Sequence, residues 1–145
     1  MPFITPTDLH THLYAEVIEE IVRNDSSIVE RAIASAIAEA KAYCSRYDTE
    51  ALFADNSEQP HLKQLVKDIA CWHIIRLANP NIHTEFARTC YEDALNFLKS
   101  VMKGQADPVG WPYPTITTTP GNGLVTDKEG NVISWSSNNK RNNHY

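Results

Sequence analysis

The stretch from Pro60 to Ala78, PHLKQLVKDIACWHIIRLA, constrains the fold more than any other part of the chain. Pro60 suits a first helical position, where its missing N–H leaves no bond unmade. Leu62, Leu65, Val66, Ile69, Ala70, His73 and Leu77 follow at three- and four-residue steps, the spacing of one helix face. Past Ile69 the apolar stripe widens, because Trp72, Ile74 and Ile75 leave no clean polar side. A helix apolar nearly all round is one that several neighbours bury at once. The rest of the chain is therefore expected to pack around this helix, with Leu65, Ile69 and Trp72 in the core.

Helical signals also fill the chain before it. Thr5, Pro6 and Asp8 make a capping box with proline at the first position, and predict a short helix through Leu13. Tyr14 to Arg23 carries Val17, Ile18, Ile21 and Val22 as a second stripe. After the break at Asn24-Asp25, Ser26 and Ser27 are the expected caps of a helix from Ile28 to about Tyr47, with Glu30 completing a box with Ser27. Six alanines between Ala32 and Ala42 favour helix and let neighbouring backbones approach closely. Its inward face reads Val29, Ile33, Ala36, Ile37, Ala40, Cys44 and Tyr47. Asp48 to Gln59 is polar except for Leu52 and Phe53, and reads as a loop pinned by those two.

After the turn at Asn79-Pro80-Asn81, a last helix is expected from Ile82 to about Lys103. Phe86, Cys90, Ala94, Phe97, Leu98 and Val101 face inward, and Gly104 supplies the left-handed cap. The fold class expected is all-α, a compact bundle of about four to five helices over residues 1–104. Residues 105–145 form an arm rich in proline, asparagine and serine that ends disordered. Within it, Asp127-Lys-Glu-Gly130 fits a type I turn between Leu124-Val125 and Val132 to Trp135, which predicts a β-hairpin. Trp111 and Tyr113, set among prolines, are expected to anchor the arm's base against the helices, and Trp111, Tyr113, Val132 and Trp135 are the candidate partner contacts of the arm.

Chemistry is sparse. His10 and His12 stand two residues apart and point to different sides of a helix, so no metal site is expected there. Cys71, Trp72 and His73 are consecutive and diverge by ~100° per residue. A core histidine bonded to a neighbour is the expected role for His73. Cys44, Cys71 and Cys90 have no paired spacing and read as small reduced core residues. Glu16, Glu19 and Glu20 make an acidic cluster, whose ordinary meaning is a solvated face. No phosphate-cradling glycine loop, GxSxG or HExxH is present, so no catalytic residue, cofactor or metal is expected and the chain does not read as an enzyme. A net charge of −5 argues against a general nucleic-acid binder. With no leader and no apolar run near the ~20 residues of a membrane span, a cytoplasmic protein is expected.

Four segments stand in one order: Ile4 to Leu9, the helix ending Ala42-Tyr-Cys-Ser-Arg-Tyr47, Leu62 through Lys67-Asp-Ile-Ala70, and Tyr91 to Lys99 followed by Gly104. That order resembles the Mu-like phage and prophage family of small all-α head–tail connector (head completion) proteins, over roughly residues 3 to 112. Where many members of that family follow Asp-Ile-Ala with Arg-Tyr, this chain has Cys71-Trp72-His73. The resemblance implies a structural virion part, made in the bacterial cytoplasm. Its partners would be the portal protein, the tail and neighbouring subunits in a ring homo-oligomer, with no sequence-specific nucleic acid and no membrane. A different class, a small cytoplasmic helical protein-binding adaptor or regulator, would show the same helices. Portal and capsid genes alongside would separate the two.

Overall fold

The computed structural model describes residues 2–77 and 84–115, and the backbone of residues 117–118, 125–126 and 132–133. The chain divides into two units, Met1–Pro112 and Tyr113–Tyr145.

The first unit is helical. A 3-10 helix (Pro6–Thr11) opens it, capped as its sequence requires: the Thr5 backbone N–H donates to Asp8 Oδ2 at 2.7 Å, and Asp8 N–H returns to the Thr5 carbonyl. Five α-helices follow: α1 (Ala15–Val22), α2 (Ser26–Tyr43), α3 (Thr49–Leu52), α4 (Pro60–Ile75) and α5 (Glu85–Met102). Between α1 and α2 the chain reverses through two left-handed residues, Arg23 at φ 51° and Asn24 at φ 65°. The α2 cap is Asp25, whose carboxylate accepts from the Ser27 N–H, rather than either serine. Asp25 wins because an ionised acceptor makes the stronger bond to the exposed N–H groups and suits the positive helix end. The segment expected to be loop contains the single turn α3, capped by Asp48, with Leu52 and Phe53 buried.

The helix α4 is central. It packs against α2 and α5, and against α1 and the 3-10 helix. Leu62, Val66, Ile69, Ala70 and Ile74 are sealed from solvent, and Leu65 is buried. The α4–α5 pairing is antiparallel: His61 meets Phe97 edge-on at 4.9 Å, and Trp72 stacks on Tyr91 at 5.7 Å. The α5 end is a left-handed cap, with Gly104 at φ 76°, its N–H on the Val101 carbonyl and Gln105 N–H on Ser100.

Several core expectations need correction. Phe86, placed inward by its stripe, is 82% exposed. The contacts that put Phe97 by His61 and Tyr91 by Trp72 bring Phe86 opposite the last turn of α4, where the covering helix runs out. Leu77, beyond the end of α4, is exposed for the same reason. Ile37 and Phe97 pack against the core but remain half-buried, and Trp72 is half-buried with its ring stacked on Tyr91.

Residues after α5 fold back rather than leaving. Trp111 is buried edge-on against Tyr47 at 5.3 Å, Tyr47 Oη donates to Asp107, and the Asp48 N–H donates to the Pro112 carbonyl. Trp111 therefore packs within the helical unit. Tyr113 is 53% exposed and does not share that anchoring burial.

In the second unit, β1 (Thr117–Thr118), β2 (Val125–Thr126) and β3 (Val132–Ile133) form an antiparallel sheet in chain order. Val125 pairs with Ile133 and Thr126 with Val132, across the expected turn. The turn Asp127–Gly130 itself, and Trp135, lie outside the described residues. β1 is an addition: Thr117 pairs with Thr126 and Thr118 with Val125, a use of β-branched threonines that the composition of the arm concealed.

Candidate functional site

Two side-chain constellations stand out in the helical unit, and both are built on α4. One links helices. Glu39 of α2 accepts from His73 Nε2 at 3.0 Å through Oε2 and from Tyr91 Oη at 2.8 Å through Oε1. Burial, then the bond to Glu39, pushes the Tyr91 hydroxyl up to about 12, so it stays a donor across the physiological range. The Trp72 ring lies on Tyr91 and closes the network from one side. His73 is thus the neighbour-bonded histidine that its position on the apolar face predicts. It opens to a shallow depression shared with Arg31, Ser35 and Arg76.

The other constellation is a cleft of about 200 Å³ between the 3-10 helix, α1, α4 and α5. Leu13, Val17, Ile21, Ile75, Phe86 and Ala87 make it mostly apolar, with His12, Asp68, Cys71 and Cys90 also in its walls. His12 Nδ1 is bonded to Thr11 Oγ1 at 2.8 Å, and its Nε2 lies 2.7 Å from Gln64 Nε2 and 3.4 Å from Asp68 Oδ1. Burial pushes the Asp68 carboxyl up to about 6, opposed by the Lys67 charge, and burial together with Lys67 lowers His12. At pH 7 the imidazole is neutral while Asp68 is mostly ionised at the cost of its burial, so this contact is a polar one and not an ion pair. His10, two residues away, is exposed, as the helical spacing requires.

The cysteines follow their surroundings. Burial pushes Cys44 and Cys71 up to about 12, and raises Cys90 as well, with Asp68 and Asp93 adding to the effect. None is therefore a thiolate at neutral pH, and a thiol is a poor nucleophile. Cys71 and His73 open to different clefts, so adjacency in sequence does not pair them. Among the described residues no group of three or more His, Cys, Asp or Glu could hold a metal ion. No described helix is long and apolar enough to cross a membrane.

Sequence reasoning missed the cleft. Its signal was present in α1, where the expected four-residue stripe is two rows: Ile18 and Val22 are buried, while Val17 and Ile21 are only partly covered. A stripe wider than its neighbours can bury leaves a lined gap. That gap, with the exposed Phe86, is the most distinctive surface of the helical unit.

No curated protein and no solved structure matches the chain. One family model does: that of Bacteriophage Mu, Gp36, over residues 3–125. The match runs through the helical unit and past residue 112, where the resemblance carried by the four helical segments stops, to the start of β2. The chain belongs to the Bacteriophage Mu, Gp36 family of phage proteins.

Proposed function

We propose that this protein is a structural component of a phage or prophage virion, a head–tail connector that docks on the portal and joins head to tail. The observation that carries the reading is the continuous match to a phage family from residue 3 to 125, embracing the entire helical unit. The side chains support a part that assembles rather than one that reacts. The thiols are held protonated, and His73 is engaged by Glu39. The net charge of −5 suits a wall along which DNA slides, because such a wall should not grip phosphates. On this reading the copies form a ring on the portal, with no cofactor and no catalysed reaction.

Mixing the protein with its cognate portal and sedimenting the mixture tests this. Co-sedimentation, with a ring of added density on the portal in micrographs, is the expected result. A portal that sediments alone in every buffer and stoichiometry overturns the proposal.

A further inference from the structure

The cleft beside Phe86 has acidic edges. On α1, three parallel rows of residues one turn apart can be followed outward. Ile18 and Val22 are in the core, Val17 and Ile21 line the cleft, and Glu16 and Glu20 are exposed. Phe86 and Cys90 of α5 line the opposite wall, and the row before them, Glu85, Thr89 and Asp93, is exposed. Asp93 is close enough to Cys90 to raise its thiol, and Asp68 stands in the wall itself. Carboxylates therefore border an apolar trough on both sides. Of the positive charges nearby, Arg88 pairs with Glu92 on its own helix at 2.8 Å, while Lys67, bonded to Thr11 Oγ1 at 3.1 Å, keeps its charge beside His12 and Asp68 and is outnumbered by the carboxylates on the two edges.

From this juxtaposition we infer that the cleft between α1, α4 and α5 is a docking groove for a cationic amphipathic helix of a partner protein. An apolar trough between two helices accepts the apolar face of a third, read as anchors at three- and four-residue steps. Lysine or arginine on the flanks of that helix would meet Glu16 and Glu20 on one side, Glu85 and Asp93 on the other. The same carboxylates repel nucleic acid and anionic membrane surfaces, which leaves a basic polypeptide as the matching occupant. Phe86, exposed in the trough's wall, supplies an aromatic anchor, the residue type that dominates such contacts. The inference rests on the cleft and its edges, and stands apart from the portal-docking reading.

The probe is a fluorescently labelled leucine–lysine amphipathic helical peptide of about four turns, titrated with the full chain at physiological salt. Its counterpart has glutamate at every lysine. Saturable micromolar binding of the lysine peptide is expected, with the glutamate peptide at least about tenfold weaker, a factor that corresponds to about 1.4 kcal/mol. Phe86→Ala and the double variant E16K/E20K should each weaken the lysine peptide by about tenfold. Both change exposed positions, and circular dichroism confirms that the fold is intact. Met102→Ala, an exposed change elsewhere on α5, should leave affinity unchanged. Bound peptide should also slow alkylation of Cys90, the partly exposed thiol in the groove wall. Equal binding of the two peptides overturns the inference, as does binding that neither variant weakens, unprotected Cys90, or no saturable binding at all.

Discussion

Ile69 and Phe86 show what a single position on a stripe is worth. They sit on the apolar stripes of two packed neighbours, α4 and α5, yet Ile69 is sealed in and Phe86 is in water. Ile69→Ala should cost ~2–5 kcal/mol, the range for large-to-small changes in a core. Phe86→Ala should stay within about 0.5 kcal/mol of the parent, both measured by urea denaturation. A cost below about 1 kcal/mol at Ile69, the size expected at an exposed site, would mean that α4 is not the central helix. Asp68 gives a pH signature. Its carboxyl ionises near 6 when folded and at the ordinary 3.8 when unfolded, because burial disfavours the charge. Between those values the folded chain holds the extra proton, so this group's contribution to stability falls as pH rises and levels off above about 6. With the side chain only 20% exposed, Asp68→Asn should stabilise the protein at pH 7 by about 1–2 kcal/mol. The variant should also flatten the loss between about pH 4 and 6, as denaturation midpoints across that range would show. Stability unchanged by the substitution at pH 7 would mean that Asp68 is solvated. Neither the elevated Asp68 nor its contact with His12 was legible in the sequence, since residues 12 and 68 meet only once the 3-10 helix lies across α4.

Elements were more legible than side-chain positions. The Thr5–Asp8 box, Pro60 at the start of α4 and Gly104 after α5 all act where their chemistry says they should. Local rules suffice there, because a cap needs only its own turn. The half-burial of Trp72 and the exposure of Phe86 and Leu77 depend instead on where the neighbouring helix ends, which periodicity does not encode. The one-turn α3 is similar: Asp48 caps it locally, but Leu52 and Phe53 hold it by burial against the rest of the unit. Gly104 carries an element-scale prediction. An alanine there must hold φ 76°, and its Cβ would stand 2.8 Å from Arg46 Nη1, which itself donates to the Val101 carbonyl at 3.3 Å. Arg46 can swing away at the loss of that bond, but the backbone strain remains. Gly104→Ala should therefore lower stability by about 1–2 kcal/mol, read as a shifted denaturant midpoint at constant slope. An unshifted midpoint would mean that the cap is not held in the left-handed conformation.

At the scale of the molecule, the helical unit ends at Pro112, eight residues past the cap glycine of α5. A chain stopped after Pro112 keeps Trp111 against Tyr47 and the bond from Asp48, and should melt within a few degrees of the full protein. Stopping after Ala106 removes Trp111 together with the Tyr47–Asp107 bond, and should lower the melting temperature by several degrees more. If the shorter of these chains melts no lower than the longer, Trp111 is not part of the core. The proline-rich composition after Gly104 had suggested an arm detached from the bundle. A buried tryptophan among prolines moves that boundary, because one large aromatic side chain holds the proline-rich chain around it to the bundle. The carboxylate of Glu39 has a further consequence. With one oxygen on His73 and the other on Tyr91, it ties α2, α4 and α5 at a single point, so none of the three can slide along its axis without breaking a bond that another depends on. A bundle keyed in this way bears load as one block: a push on any of the three helices is passed to the others and is not absorbed as shear.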